Sequence, residues 1–392
     1  MTVTFNEFLT ILPVAFVTVF AVILLVVDLF IPKGRKSLTA LLAALILAAG
    51  LGIDLAMMGR DLPAAFNGMT MLDGFAVFAN ALILLCGLAG VALAHNFLKR
   101  MNLERGEYYA LMLFSTAGMI LLNQAYDLIV VFLAIELLSI PLYVMTALAR
   151  PQVESEESAL KYFLLGTFSS AFLLYGIAMI YGATAQTGLT GIVAAVSGGQ
   201  ANPILFLVGA ALMLVGLAFK LSAVPFHLWA PDVYQGAPSP VTAWMSVTVK
   251  VAGLAALLRL FVMIFPSLAG SLSPVLAVLA ALTMIVGNLL AVVQTNIKRL
   301  LAYSSIANVG YLLMAFVPYA NAQVASDAVA ATLFYMVGYA FTSFAAWSVV
   351  IAAEKAEGAP RKPAAEPVAV PVPITFVTGE ATMTQEGLHA AD

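Results

Sequence analysis

The chain has 392 residues, of which 63% are hydrophobic and 9% charged, whereas an ordinary soluble domain is about 25% charged. With a mean hydropathy of +1.03, this composition excludes a soluble protein and a soluble domain held by one anchor. The net charge of −3 gives no indication of a nucleic-acid partner. We expect an all-α, polytopic membrane protein.

A transmembrane helix needs about 20 mainly apolar residues, and eleven runs of the sequence meet that need. Strands of a membrane barrel would instead alternate in polarity over about 10 residues. The first run lacks a basic flank and a cleavage site, so we interpret it as a retained helix rather than a signal peptide. The runs are 8–30, 38–57, 75–98, 107–122, 127–148, 158–183, 203–234, 240–265, 274–294, 300–317 and 325–353.

Basic residues are distributed unevenly between the two sets of loops. Thirteen of the 17 lysines and arginines lie in the loops after odd-numbered runs or in the C-terminal tail, and the opposite loops hold only Arg60. The positive-inside rule therefore predicts an external N-terminus and a cytoplasmic tail. The tail, 354–392, carries five prolines between Pro360 and Pro373, and its composition predicts disorder.

Four ionisable residues lie inside apolar runs: Glu136, Lys220, Lys250 and Arg259. A charge at the centre of a bilayer costs at least about 2.5 to 3.5 kcal/mol, so such residues are usually functional. Glu136 and Lys250 lie near the middle of their runs, which favours a proton or ion path, although a carboxyl kept neutral is an alternative for Glu136. Arg259 is nearer the outer end, where we expect it to extend to the surface.

The seventh run, 203–234, is too long for one straight helix. Its 32 residues would extend about 48 Å, against about 30 Å of hydrocarbon. Pro225 interrupts helical hydrogen bonding within about one turn of Lys220, and transporters place their sites at such broken helices. We therefore predict that Lys220 carries a proton at a helix break.

Several polar residues are weaker candidates. His227 follows the break and could relay a proton, or could simply stabilise a turn. Ser304 and Asn308 share a helix face, where they could form a polar path or hold helices together. Asp28, Asp54 and Asp127 lie near run ends, where hydration is cheap, and no chemistry is assigned to them.

The sequence predicts no metal-binding or cofactor-binding residues. Its one cysteine, Cys86, cannot form a disulfide or hold a cluster within the chain. No glycine-rich phosphate loop and no nucleophile arrangement is visible. The expected chemistry is therefore ionic.

Two motifs carry a family resemblance: PFHLWAPDVYQGAPSPVTAW at 225–244 and QTNIKRLLAYSSIANVGY at 294–311. They resemble the antiporter-like membrane subunits of complex I, the proton-pumping NADH:quinone oxidoreductase, and their details are similar to the subunit N branch. The resemblance runs to about Gly358. It implies that Glu136, Lys220 and Lys250 are the family's proton-translocating residues.

The resemblance also implies an architecture. Three N-terminal helices (1–106) would precede a five-helix repeat (107–265) with a broken seventh helix, followed by an inverted second repeat that is incomplete (266–353). The family has no redox cofactor in this subunit, and NADH, FMN, iron–sulfur clusters and quinone are expected in the rest of the complex. The expected partners are other membrane-arm subunits and the lipid of a bacterial plasma membrane.

The sequence departs from the family in two places. Asn308 stands where many relatives carry a histidine, and an amide cannot take up a proton. Relatives usually have fourteen helices, of which the twelfth supplies a further lysine, but here only three helices of the second repeat are found. A separate chain could supply the rest, the sequence could be truncated or frame-shifted, or the protein could be non-pumping.

Two other functions remain open at this point. A subunit of a multisubunit cation/proton antiporter shares the same motifs without a redox reaction, and a non-conducting structural subunit would keep the fold alone.

Overall fold

The computed structural model describes residues 4–149, 152–321 and 323–354. Within these ranges the chain forms thirteen α-helices, and its β-structure is limited to isolated bridges. The helices are α1 Phe5–Asp28, α2 Ser37–Ala56, α3 Gly74–Arg100, α4 Glu107–Gln124, α5 Leu128–Thr146, α6 Val153–Thr184, α7 Leu189–Ser197, α8 Pro203–Leu221, α9 Trp229–Gly236, α10 Ser239–Ile264, α11 Ala269–Val292, α12 Ile297–Phe316 and α13 Ala325–Ala353.

The all-α membrane fold is confirmed, and each of the eleven apolar runs contains a long helix. Nine segments of the described chain are long and apolar enough to cross a membrane, while α4 and α12 fall short of that measure. The nine-residue α7 was not predicted, because it is shorter than a membrane span. The predicted tail lies outside the described residues from Lys355 onwards, and the division into repeats stays a prediction.

Helix starts follow ordinary capping chemistry. Thr4 forms a capping box with Glu7 at the start of α1, and Asp73 accepts a hydrogen bond from Ala76 at the start of α3. Asn202 caps α8 just before Pro203, whose missing N–H costs nothing in a first turn. Polar loop residues therefore fix where the apolar helices begin.

Helix α10 lies at the centre of the bundle. It packs against α3, α4, α5, α8, α12 and α13, and nearly all of its 26 residues are buried. Helices α4 and α5 also approach closely, because a Cβ at Gly118 would lie 2.4 Å from the backbone nitrogen of Leu138. Residues that α10 carries are thus inside the protein and away from lipid.

The expectation that Arg259 extends to the surface was wrong. Its side chain is 5% exposed and its guanidinium donates to both carboxylate oxygens of Asp73, at 2.9 and 2.8 Å. The same group lies over the rings of Phe75 and Tyr126, at 5.1 and 5.7 Å. The carboxylate that caps α3 therefore neutralises Arg259 inside the protein.

Three aspartates expected to be hydrated are buried instead. Asp28 accepts hydrogen bonds from Lys36 at 2.6 Å and Thr39 at 2.6 Å. Asp127 caps α5 and is 4% exposed. Asp54 is fully buried. Position near the end of an apolar run did not predict hydration of these aspartates, because loops and neighbouring helices cover the run ends.

Candidate functional site

The predicted break lies between α8 and α9. Helix α8 ends at Leu221, and Ser222 adopts a left-handed conformation with φ +61°. The freed backbone is held by other groups, since Val224 N–H donates to the Thr283 hydroxyl at 3.0 Å. Irregular backbone at membrane depth is tolerated where protein satisfies it in this way. Lys220 consequently occupies the last turn before the break.

Lys220 and Lys250 face the same helix interface. Their residues are 4% and 2% exposed. A Cβ at Gly253 would lie 3.9 Å from Cβ of Lys220, and Gly253 is one helical turn from Lys250, on the same face of α10. The structure therefore brings the two predicted lysines together across the contact between α8 and α10.

Lys220 has an aromatic environment. Its Nζ atom makes no hydrogen bond to any of the described residues and lies 5.8 Å from the ring centres of both Tyr143 and Tyr162. Ring faces attract a cation without fixing it in place. The ammonium is thus held by weakly directional contacts and keeps all three of its donors free of protein acceptors.

Glu136 lies on α5, about two helical turns from Tyr143, whose ring is 5.8 Å from Nζ of Lys220. Glu136 is half-buried, and its Oε1 atom is enclosed without a hydrogen-bond partner. The two side chains, both among the described residues, form no ion pair within 4.0 Å. The structure therefore presents this carboxylate and ammonium as an open pair.

Lys250 has a different environment, made of hydroxyl groups. Its Nζ atom donates to the Tyr234 hydroxyl at 3.3 Å and to the Ser305 hydroxyl. Ser305 is bonded in turn to the hydroxyl of Tyr339 at 2.6 Å, which donates to the carbonyl of Ser246 at 2.9 Å. Because hydroxyl groups both donate and accept, this chain can pass a proton from one oxygen to the next.

Aromatic rings occupy the space between the two lysines. Tyr162 stacks on Trp229 at 4.6 Å, and Trp229 meets Tyr234 edge to face at 6.1 Å. The indole N–H of Trp229 donates to the carbonyl of Phe219 at 3.0 Å, which fixes the ring beside the break. Tyr162 thus touches the Lys220 site, and Tyr234 touches the Lys250 site.

The weaker candidates are placed apart from Lys250. The hydroxyl of Tyr335, on α13, donates to Asn308 at 2.6 Å, while the amide of Asn308 donates to the carbonyl of Ser304 at 2.8 Å. This arrangement links α12 to α13. His227 is 6% exposed, and its Nδ1 atom has no partner in the described protein. A relay role for these three residues stays a prediction.

Sequence reasoning missed Ser305, Tyr234 and Tyr339. Ser304 and Ser305 are neighbours in the sequence, but successive residues of a helix point about 100° apart. Only Ser305 faces α10 and Lys250. The apolar residues about one turn away on either side, Ala302 and Val309, could have indicated the inner face, whereas nothing local indicated that Tyr339 would reach Ser305 from 34 residues away.

Charged residues close one end of the broken helix. Asp232 on α9 binds Lys161 of α6 at 2.9 Å and Arg299 of α12 at 2.6 Å. A cavity of about 130 Å³ lies here, lined by Glu154, Glu157, Ser158, Lys161, Asp232, Gln235 and Gly236. This polar cavity lies between α6 and α9.

Comparison with known proteins gives the family. The protein-family model described as "NADH:quinone oxidoreductase/Mrp antiporter, TM" matches residues 125–366 of the chain. This range includes every residue of the site. The chain belongs to this antiporter-like family. The match covers more than half of the sequence.

Curated relatives refine the placement within the antiporter-like family. The chain is 46% identical to NADH-quinone oxidoreductase subunit N of Chloroflexus aggregans, over 87% of this chain and 70% of that protein. It is 42% identical to the subunit N of Trichlorobacter lovleyi, over 87% of this chain and 69% of that protein. The sequence resemblance to the subunit N branch is thereby confirmed.

Solved structures of the antiporter-like family have the same fold. A chain of respiratory complex I from Thermus thermophilus with bound aureothin is 37% identical, with a TM-score of 0.72 over 86% of this chain and 70% of that one. A chain of the Mrp complex from Dietzia is 23% identical, with a TM-score of 0.76 over 89% of this chain and 65% of that one. The second likeness concerns the fold alone.

Proposed function

We propose that the chain is a membrane-arm subunit of NADH:quinone oxidoreductase that takes part in redox-coupled proton translocation through Glu136, Lys220 and Lys250. We call these three residues the ionisable row. The observation that carries the proposal is the burial of Lys220 on α8 and Lys250 on α10, on both sides of a helix break, with the half-buried Glu136 on α5. The identity to subunit N relatives supports the choice of complex.

The charge of Glu136 supplies a switch for Lys220. At an effective dielectric constant near 20, a pair 4 Å apart is worth about 4 kcal/mol, which is about a thousandfold in proton affinity. Closing the pair makes Lys220 hold its proton, and opening it makes release easier. The unbonded Nζ atom of Lys220 is consistent with an ammonium that is free to move between these states.

Release from Lys220 directs the proton toward Lys250. The hydroxyl groups of Tyr162 and Ser222 are buried without partners in the described protein, and buried polar groups of this kind normally bond to water. Water at these groups would join the Lys220 site to the hydroxyl chain at Lys250. From there Ser305 would take a proton from Lys250 and give its own to Tyr339. The Tyr339 hydroxyl would turn from the Ser246 carbonyl to a water molecule to pass its proton on.

The remaining features follow from the same proposal. The redox chemistry belongs to other subunits, which hold NADH, FMN, iron–sulfur clusters and quinone, and this chain binds none of them. Its neighbours are other membrane-arm subunits in a bacterial plasma membrane. The Lys161–Asp232–Arg299 end faces the cytoplasm, as the distribution of basic residues indicates.

The test compares matched variants of the complex in sealed vesicles. Lys220→Met and Glu136→Gln should lower the number of protons moved per electron, because each removes one member of the switch. Lys99→Met and Glu107→Gln make the same chemical changes at exposed positions and should leave the ratio unchanged. Protons and quinone reduction are measured together.

An undiminished ratio in both row variants would remove these residues from the proton path. Proton movement that persisted with a cation gradient and no electron transfer would favour the antiporter alternative instead.

A further inference from the structure

A second buried acid lies away from the ionisable row. Asp54, near the C-terminal end of α2, is 0% exposed. The amide of Asn80 on α3 donates to Asp54 Oδ1 at 3.0 Å, and the amide of Asn123 on α4 donates to Asn80 Oδ1 at 3.0 Å. We call these three residues the amide cluster. It joins three helices at the end of the bundle opposite Lys161 and Arg299.

The amide cluster and the residues next to it contain polar atoms without partners in the described protein. Asp54 Oδ2, Asn123 Oδ1 and both side-chain polar atoms of Gln124 are enclosed and unbonded, as is the Thr70 hydroxyl in the covering loop. A buried polar group left unbonded costs about 1 to 3 kcal/mol. Four residues with unbonded buried polar atoms at one end of the bundle indicate bound water or an exchangeable proton rather than imperfect packing.

The covering loop is close to the surface. Thr70 pairs with Ala125 in an antiparallel bridge, and the Met71 N–H donates to the carbonyl of Gln124 at 2.8 Å. This loop, between α2 and α3, is therefore hydrogen-bonded to the C-terminal end of α4, beside Asn123 of the amide cluster. It is exposed at Asn67 and Met69, so a proton at Thr70 lies next to solvent-exposed chain.

No cation neutralises Asp54 within the described part of the chain. Helix α2 packs against α1, α3 and α4. The charged groups on these elements at this end are engaged elsewhere or exposed: Glu7 with Thr4, Asp73 with Arg259, and Arg60 and Asp61 in the loop. An ionised, unpaired carboxylate in this position would cost several kcal/mol, whereas a protonated carboxyl is neutral and gains a donor for the unbonded side.

We propose that Asp54 is a proton-binding carboxyl, separate from the ionisable row, which exchanges its proton with the solution at its own end of the bundle. A metal ion fits the amide cluster less well. Hard cations take about six or more oxygen ligands, whereas Asn80 presents an N–H group to the carboxylate. The cluster offers one acid and a chain of amides, which suits a single proton.

Infrared spectroscopy of the purified complex tests this proposal directly. The carbonyl band of a protonated carboxylic acid should be present at neutral pH, shift in D₂O and disappear on alkaline titration. Asp54→Asn should remove this band, and Asp61→Asn, the same exchange at an exposed loop position, should retain it. Identical spectra for the parent and Asp54→Asn would overturn the proposal.

A second variant keeps the test decisive if Asp54→Asn does not assemble. Asn80→Ala keeps the acid and removes its hydrogen bond, so the same band should move. A band that stays in place in Asn80→Ala would overturn the assignment. Replacing choline chloride with sodium chloride at constant pH should leave the band unchanged, and its loss on adding sodium would overturn proton binding in favour of a cation site.

Discussion

Arg259 and the two lysines of the ionisable row are all cations buried in one bundle, but their surroundings differ. Arg259 is bound by both oxygens of Asp73 and covered by two rings. Lys220 has rings and a distant carboxylate, and Lys250 has neutral hydroxyl groups. A carboxylate in direct contact fixes a charge permanently, whereas rings and hydroxyl groups leave an ammonium able to lose its proton.

The largest effect should come from breaking the fixed pair. Asp73→Asn retains a side chain that can cap α3 but leaves Arg259 unneutralised, so the subunit should lose about 3 to 5 kcal/mol of stability. Thermal unfolding of the purified complex measures this. The number of protons moved per electron in the assembled fraction should not change. A lower ratio would show that Arg259 takes part in proton translocation together with the two lysines.

The same pair gives a pH dependence with a definite sign. Burial raises the pKa of the Asp73 carboxyl, but the hydrogen bonds and charge of Arg259 outweigh it, so that the net pKa is lowered. Its contribution to stability is therefore complete above the ordinary aspartate pKa of about 3.9 and is lost as the pH falls through the lowered value. Asp73→Asn should remove this part of the acid sensitivity, and Asp61→Asn should not.

A smaller effect should follow from changing the hydroxyl groups at Lys250. Ser305→Ala removes a hydrogen bond to a charged group, worth about 1.5 to 3 kcal/mol, so proton translocation should slow about tenfold or more. Ser348→Ala is the matched control, because that serine lies on α13 and its hydroxyl donates to the carbonyl of Ala345 on its own helix. Stopped-flow recording with a pH-sensitive dye in vesicles gives both rates. Equal rates in the two variants would disconnect Ser305 from the path.

The smallest effect should come from the ring beside Lys220. Tyr143→Phe keeps the ring face and removes only the hydroxyl group, so we expect little change. Tyr143→Leu also removes the attraction between cation and ring, worth about 1 to 2 kcal/mol when desolvated, and proton translocation should slow several-fold. If Tyr143→Phe were slower than Tyr143→Leu, the hydroxyl rather than the ring of Tyr143 would be the group that supports proton transfer.

Much of the fold could be predicted from the sequence because apolar runs of membrane length have few alternatives. The break after Lys220 was predictable for the same reason, since a 32-residue run with prolines at positions 225 and 231 cannot remain one straight helix. What the sequence did not reveal were the partners of the buried charges. Arg259 and Asp73 are 186 residues apart, and only the folded bundle brings them together.

Gly118 has a consequence for Glu136. Helix α5 rests against the bare backbone of α4 at this glycine, and Leu138, the residue in contact, is two positions from Glu136. Even a methyl group at position 118 would force the two helices apart and change the distance between the carboxylate and Lys220. The position of the acid is therefore set by the smallest residue of a neighbouring helix, so the proposed electrostatic switch depends on a residue that bears no charge.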